Sequence, residues 1–198
     1  MINKIMNVTE SNPMYDKIMA DMKNATDDKL VIVARSYKNR KDDVIAPIAI
    51  KNGIYFYVGY ELDDKIAFPG KVTPSQIYQA KLNMIRKARL GGMLDVLING
   101  GFPLDEFEFG NDPMNIVTLD SYMYGAGLLC CEKFIKTIYS KIGNAYILPS
   151  SVHEIIIVPL TYEMDKDYLT QMVHDINATE VSENEYLADR AFEISEWM

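Results

Sequence analysis

The chain has 198 residues, 48% apolar and 11% aromatic, which is enough to build a globular core and argues against intrinsic disorder. No stretch approaches the roughly 20 apolar residues of a membrane-spanning helix, and the N-terminus lacks an apolar signal segment, so we expect a cytoplasmic protein with no membrane partner. Residues 1–100 carry a net charge of +4 and residues 101–198 a net charge of −12, which together give −8. Because the second half would repel phosphates, nucleic acid would have to contact the first half.

The first 60 residues are predicted to form a short helix followed by about three strands. Proline near a helix start and apolar residues four apart indicate a helix at 13–22. The β-branched run at 30–34 is typical of a strand covered on both faces. Segments 44–50 and 54–60 flank an Asn-Gly pair, which favours a β-hairpin between them.

The clearest local signal in the sequence is the start of the next helix. Thr73 is placed as the N-cap before Pro74, and Gln76 occupies the third position of a capping box. Apolar residues then follow at helical spacing, and the glycines at 91 and 92 are predicted to end the helix. Residues 93–113 are predicted to be a turn-rich connection with a short strand or helix.

The second half alternates strand and helix signals. Strands are predicted at 115–119, 125–130, 146–148, 154–160 and 191–194. Helices are predicted at 134–142 and 168–176, and Ser182 with Glu185 would cap a last short one. The chain is thus expected to be α+β, with a mostly antiparallel or mixed sheet and about four helices packed against it. We expect a single domain over 1–198; the alternative is two lobes at about 1–92 and 114–198.

Cofactor and metal sites have little support in the sequence. Cys130 and Cys131 are adjacent within an apolar run, which predicts buried, reduced thiols and no zinc site. No glycine-rich phosphate loop is present, so no nucleotide cofactor is expected. A metal site would need His153 and His174 with carboxylates from 163–167, but helical spacing places His174 on a polar face. We therefore expect no metal.

The segment Ser150-Ser151-Val152-His153-Glu154 raises the question of a hydrolytic site. In an extended chain Ser151 and His153 would share one face, while Glu154 would lie on the other. An acid that orients the imidazole would then have to come from another element. The favoured interpretation is a polar turn before a buried strand, and the alternative is a small hydrolase that uses Ser151 or Ser150 with His153.

Two basic clusters are candidates for contact with phosphates or nucleic acid. They consist of Arg35, Tyr37, Lys38, Arg40 and Lys41, and of Arg86, Lys87 and Arg89. Cations with an interleaved tyrosine could hold phosphates or stack on a base. The favoured interpretation is a solvated loop and favourable cations at a helix C-terminus, because aspartates follow the first cluster directly.

Several motifs in the second half also match a pattern seen elsewhere. They are the Gly-Ala run at 125–126, the amphipathic helix at 132–142, the segment "YILPSSVHE" at 146–154 and Asn-Ala-Thr at 177–179. Their combination resembles the C-terminal portion of an uncharacterised domain-of-unknown-function family common in gut Firmicutes and in their phages and integrative elements. The stretch "VTPSQIYQAKLN" is a further match, so the resemblance covers about 70–190. It implies an accessory protein of a phage or mobile element.

The expected function is a non-enzymatic, cytosolic interaction protein that binds a protein or a protein–nucleic-acid complex. The uneven charge distribution and the lack of a convergent catalytic set favour this hypothesis. A counter-defence inhibitor, such as an anti-CRISPR protein, is one concrete form of it. The Ser151/His153 hydrolase and direct nucleic-acid binding through the basic first half are the alternatives, and the oligomeric state is left open.

Overall fold

The fold is α+β, as predicted, but its strands form two antiparallel sheets and not the one sheet that was expected. The computed structural model describes residues 13–41, 45–62 and 65–198. Its helices are α1 (Pro13–Asn24), α2 (Pro74–Lys87), α3 (Met93–Asn99), α4 (Glu132–Ile142) and α5 (Lys166–Thr179). Its strands are β1 (Leu30–Ser36), β2 (Ala49–Lys51), β3 (Ile54–Leu62), β4 (Lys65–Ala67), β5 (Ala88–Gly91), β6 (Phe102–Pro103), β7 (Asn115–Leu119), β8 (Ala145–Leu148), β9 (Ile155–Pro159) and β10 (Phe192–Glu193). None of the helices in these ranges has the length and apolarity needed to cross a bilayer.

The first sheet is built around β3, which pairs with β1 on one side and with β2 and β4 on the other. The predicted hairpin is confirmed, because Asn52 and Gly53 adopt positive φ angles of 52° and 77° between β2 and β3. The paired strand begins only at Ala49, and not near 44 as predicted; residue 44 itself lies outside the described residues. The predicted N-terminal helix and first strand are confirmed as α1 and β1.

Helix α2 begins as predicted but ends earlier. The Thr73 side chain accepts from the Gln76 backbone N–H, and the Gln76 side chain accepts from the Thr73 N–H, which completes the capping box. The prediction that the helix continues to the glycines at 91 and 92 is wrong. Residues from Ala88 to Gly91 form β5 instead, because their backbone groups pair with β7 in the second sheet. Short-range helix signals cannot show that pairing.

The second sheet has the strand order β10-β8-β9-β7-β5-β6. The prediction of a strand at 125–130 is wrong, because Gly125–Cys130 form a fully buried 3-10 helix, which we call the wedge. A Cβ on Gly127 would lie 1.9 Å from the carbonyl oxygen of Ile32 in β1, and a Cβ on Gly125 would lie 2.6 Å from that of His153. The two glycines therefore let the wedge backbone approach both neighbours more closely than any side chain would allow.

The free edge of β1 is closed by α2 and the wedge. The Ile32 N–H donates to Sδ of Met84 at 3.4 Å, and the Leu30 carbonyl accepts from the Asn83 amide at 2.9 Å. These side chains occupy backbone groups that would otherwise offer an edge for another strand. The main apolar cluster around this contact includes residues of both sheets, such as Phe56 and Val117.

The adjacent cysteines are buried and unpaired, as predicted. They end the wedge and precede α4. Burial raises the pKa of Cys131 to about 12, so its thiol stays protonated and unreactive at neutral pH.

The predicted helix capped by Ser182 and Glu185 is wrong, because this segment is a turn. The Ser182 carbonyl accepts from the N–H groups of Glu185 and Tyr186, and the Glu185 carbonyl then accepts from the Val152 N–H at 2.9 Å. Pairing with the segment around Ser151 thus prevents a helix from continuing. The predicted closing strand is confirmed as the short β10.

The last residues are fastened to the first sheet. The Trp197 side chain is buried against Phe192. The Arg190 guanidinium stacks on the Phe192 ring, 3.6 Å from its centroid. The Asn52 amide in the β2–β3 turn donates to the Glu196 carbonyl at 3.0 Å. Arg190 also binds the Glu196 carboxylate, with a shortest N–O distance of 2.8 Å.

We expect Gly127→Ala to lower the free energy of unfolding by about 1–3 kcal/mol or more, because the new methyl group overlaps the Ile32 carbonyl. The measurement is urea unfolding followed by circular dichroism. Gly110→Ala is the matched control: a Cβ there has no neighbour within 4 Å, so stability should be unchanged or slightly higher. Equal stabilities of the two variants would contradict the close approach.

We expect Glu196→Gln to destabilise the protein by about 1–2 kcal/mol at pH 7, because charge-assisted bonds to Arg190 are lost. Those bonds lower the pKa of Glu196 from 4.5 to about 2. A lowered folded-state pKa stabilises above pH 4.5, and this contribution fades as the pH falls from 4.5 to 2. Thermal unfolding of both proteins should therefore converge near pH 2, while the exposed control Glu183→Gln stays close to wild type throughout.

Candidate functional site

His153 lies in the bend between β8 and β9, and both nitrogens of its half-buried imidazole have partners. Nδ1 accepts from the backbone N–H of Tyr124 at 3.4 Å, and Nε2 lies 3.3 Å from Oε1 of Glu185. Because Nδ1 is an acceptor, the proton of the neutral ring is placed on Nε2, where it donates to the carboxylate. The acid beside the imidazole thus comes from another segment, as the strand-alternation argument required.

The geometry of Ser150 and Ser151 does not suit a catalytic nucleophile. Both are buried, and Oγ of Ser151 accepts from the His153 backbone N–H at 3.0 Å. Ser151 also hydrogen-bonds the Glu154 carboxyl, whose pKa is raised by burial. Within the described ranges, no serine hydroxyl is hydrogen-bonded to the imidazole, although activation of a nucleophile requires that bond. The arrangement therefore favours a structural role for the bend.

The backbone of this bend connects three parts of the fold. The His153 carbonyl accepts from the Gly125 N–H of the wedge at 2.8 Å and from Oγ1 of Thr118 in β7 at 3.0 Å. On the other side, the Val152 N–H donates to the Glu185 carbonyl. The motif thus joins the wedge, the second sheet and the turn that carries Glu185.

The structure brings one residue of the first basic cluster close to His153. Arg35 is half-buried at the end of β1, where burial lowers its pKa and the Tyr124 and Glu185 side chains oppose that shift. The rings of Tyr124 and His153 are 5.5 Å apart, and Tyr124 also interacts electrostatically with Arg35, so the tyrosine is a neighbour of both predicted sites. A phosphate-contact candidate and a catalytic candidate therefore share one neighbourhood.

The other basic candidates are exposed, except for the half-buried Lys87 and Arg89, and several have partners. Lys38 lies over the Tyr186 ring at 4.7 Å, while Tyr37 and Arg40 are exposed. The Lys41 backbone N–H donates to the Tyr57 hydroxyl. In the second cluster, Arg86 is exposed, the Lys87 ammonium pairs with Glu61 at 3.0 Å and Arg89 lies 3.9 Å from Asp120. Much of the charge of the second cluster is therefore neutralised.

No group of three or more His, Cys, Asp or Glu side chains within 13–41, 45–62 and 65–198 is placed to hold a metal ion. The two histidines have different carboxylate neighbours: Glu185 for His153, and Asp175 with Asp189 for His174. His174 is exposed on α5, as helical spacing predicted.

A third feature, not foreseen from the sequence, is an apolar surface on α3. The α3 face consists of Met93, Leu94, Leu97 and Ile98, whose exposed fractions are 62%, 70%, 68% and 74%. Only Val96 of this helix is buried. The apolar stripe of an amphipathic helix normally faces the core, whereas here it is exposed to solvent.

An acidic groove of about 270 Å³ lies at the start of α3, where Gly92 and Asp95 line it. Its charged side chains are Asp95, Glu106, Glu108 and Asp112, and its lining includes no cationic side chain. Glu108 is paired with Lys141 at 3.4 Å, while the other three carboxylates make no ion pair with the residues that the structure describes. Helix α3 thus carries the exposed apolar residues of the α3 face and also Asp95, one of the acidic residues of the groove.

We expect His153→Ala to lower the free energy of unfolding by about 1–3 kcal/mol, because the Tyr124 N–H and the Glu185 carboxylate both lose a partner. The control is His174→Ala, which removes an exposed imidazole and should change stability by less than about 0.5 kcal/mol. Chemical unfolding of both variants gives the two free energies of unfolding. If the His153 variant is as stable as the His174 variant, the structural role of His153 is refuted.

Comparison with known proteins places the chain in a family without assigning it an activity. A family model described as "Family of unknown function (DUF5688)" matches residues 30–195. The match therefore extends further toward the N-terminus than the resemblance over about 70–190 that the motifs suggested. No curated protein and no solved structure matches the chain. Since the model covers most of the sequence, the protein belongs to the DUF5688 family of unknown function.

Proposed function

We propose that the protein is a non-enzymatic interaction protein, and that its α3 face binds a basic amphipathic segment of a protein partner. The observation that carries this proposal is the outward orientation of Met93, Leu94, Leu97 and Ile98. Four large apolar side chains on seven consecutive helical residues leave a patch that water solvates poorly.

The α3 face has the character of a binding anchor. Burial of one leucine or isoleucine side chain contributes about 1.5–3 kcal/mol, so a partner covering several of them gains substantial affinity. The ring of Phe102, which lines the acidic groove, is also exposed and adds apolar surface there. Clustered apolar anchors with a polar rim are the usual composition of an interface core.

The acidic groove specifies the charge of the partner. Asp95, Glu106 and Asp112 would attract lysine and arginine side chains, and they would repel a nucleic-acid backbone. A polypeptide that alternates apolar and cationic residues satisfies both parts of the surface. The acidic groove therefore favours protein over nucleic acid as the direct partner at this site.

The setting that we propose is the cytoplasm of a bacterium that carries a phage or mobile element. Support for this comes from the motif resemblance around 146–154, and the net charge of −12 over residues 101–198 suits binding to a nucleic-acid-binding enzyme. An inhibitor that covers the basic surface of a defence nuclease is the concrete form of the hypothesis.

A synthetic helical peptide of leucine and lysine tests the surface directly. We expect it to bind the wild-type protein, with an affinity that falls about tenfold or more in Leu94→Ser/Leu97→Ser, because two anchors are lost. The measurement is fluorescence anisotropy of the labelled peptide. Tyr78→Ser/Leu82→Ser is the control, since it removes two exposed apolar side chains from α2 and should leave the affinity within twofold.

Three outcomes would contradict the proposal. They are equal loss in both double variants, equal binding of a leucine–glutamate peptide of the same length, and self-association in sedimentation that the α3 variant abolishes. The last outcome would make a second copy of the chain the occupant of the α3 face. All variants keep the buried Val96, so we expect them to fold. Thermal unfolding of each variant checks this.

A further inference from the structure

A second surface of opposite charge lies beside Tyr124. A cleft of about 350 Å³ opens between α1, the end of β1 and the β3–β4 hairpin. Four cationic side chains line it, together with one carboxylate: Lys17, Arg35, Lys41, Lys65 and Asp21. We propose that this cationic cleft binds a phosphate-bearing small molecule, with the Arg35 guanidinium as its central contact.

Arg35 is the residue on which the proposal depends. Its side chain is half-buried, yet its guanidinium forms no hydrogen bond or ion pair with the described part of the chain. Burial lowers the pKa of Arg35 and the Glu185 carboxylate opposes that shift, but this carboxylate is already engaged by His153 at 3.3 Å and by Ser182. A partly desolvated guanidinium with its donors unused is suited to bidentate binding of an oxyanion.

The three lysines make the cleft suitable for a multiply charged anion. The rim of the cleft carries three exposed lysines, Lys17, Lys41 and Lys65. Their ammonium groups can reach a ligand through side-chain motion alone. With Asp21 counted, the described lining carries a net charge of +3. Residues 42–44 and 63–64, which include four aspartates, lie outside the described residues. A phosphate dianion matches this surplus better than a single carboxylate does.

The shape of the cleft favours a small molecule over a nucleic-acid strand. Leu62, Phe68 and Tyr124 add apolar and aromatic walls against which the body of an organic phosphate could pack. A strand would instead need a row of exposed cations along a groove. Arg35 lies within a recess, and Lys38 nearby is held over the Tyr186 ring.

The test is isothermal titration of the full chain with inorganic pyrophosphate at low salt. We expect binding to weaken about tenfold or more in Arg35→Gln, because the loss of bidentate charge-assisted bonds is large in a partly buried site. Since Arg35→Gln changes a half-buried residue, a second variant is needed. Lys17→Gln/Lys65→Gln changes exposed side chains only and should also weaken binding about tenfold.

The matched control is Lys133→Gln/Lys136→Gln, which removes two exposed charges from α4 and should leave the affinity within twofold. Equal loss in both lysine pairs would overturn the proposal, because it would show diffuse attraction to charge. Absence of pyrophosphate binding by the wild type would overturn it as well. A third contrary result would be that an oligothymidylate without terminal phosphates binds more tightly than pyrophosphate and that this binding depends on Arg35. None of these variants touches the α3 face, so this result is independent of peptide binding there.

Discussion

The two backbones that meet at Gly127 and Ile32 hold the two sheets together. A 3-10 helix can lie against β1 at this distance only because Gly127 has no side chain. At its other end the wedge donates from Gly125 to the His153 carbonyl, so the first sheet, the wedge and the β8–β9 bend form one continuous contact. The edge of β1, the position of Tyr124 and the orientation of the imidazole all follow from it.

Elements whose signals are local could be predicted from the sequence. Thr73 with Gln76 specifies a helix start through its own side chains, and Asn52 with Gly53 specifies a hairpin through backbone preference. The wedge could not be predicted, because an apolar run such as 125–130 is compatible with a strand or a buried helix. The end of α2 was also missed, since pairing with β7 determines it.

The candidate sites show the same division between local and distant information. The sequence singled out His153 and Arg35 by residue type, but it could not indicate that Tyr124 brings them together. For Glu185 the sequence predicts only a capping role, because its approach to the imidazole depends on tertiary structure. The exposure of the α3 face could not be predicted for a different reason. Apolar spacing identifies a stripe on a helix, but only the fold shows whether that stripe is buried or exposed.

The wedge also has a consequence for the order of folding. The face of β1 that Gly127 covers is synthesised early, whereas the wedge follows after the whole first sheet and α2 have been made. Until then Met84 and Asn83 of α2 cover part of that edge of β1, while the side on which Gly127 packs stays exposed in the nascent chain. Such distant contacts form only after the entropic cost of loop closure has been met, and topologies that depend on them tend to fold more slowly. Its yield in the cell would accordingly depend on how long that edge is kept from other chains.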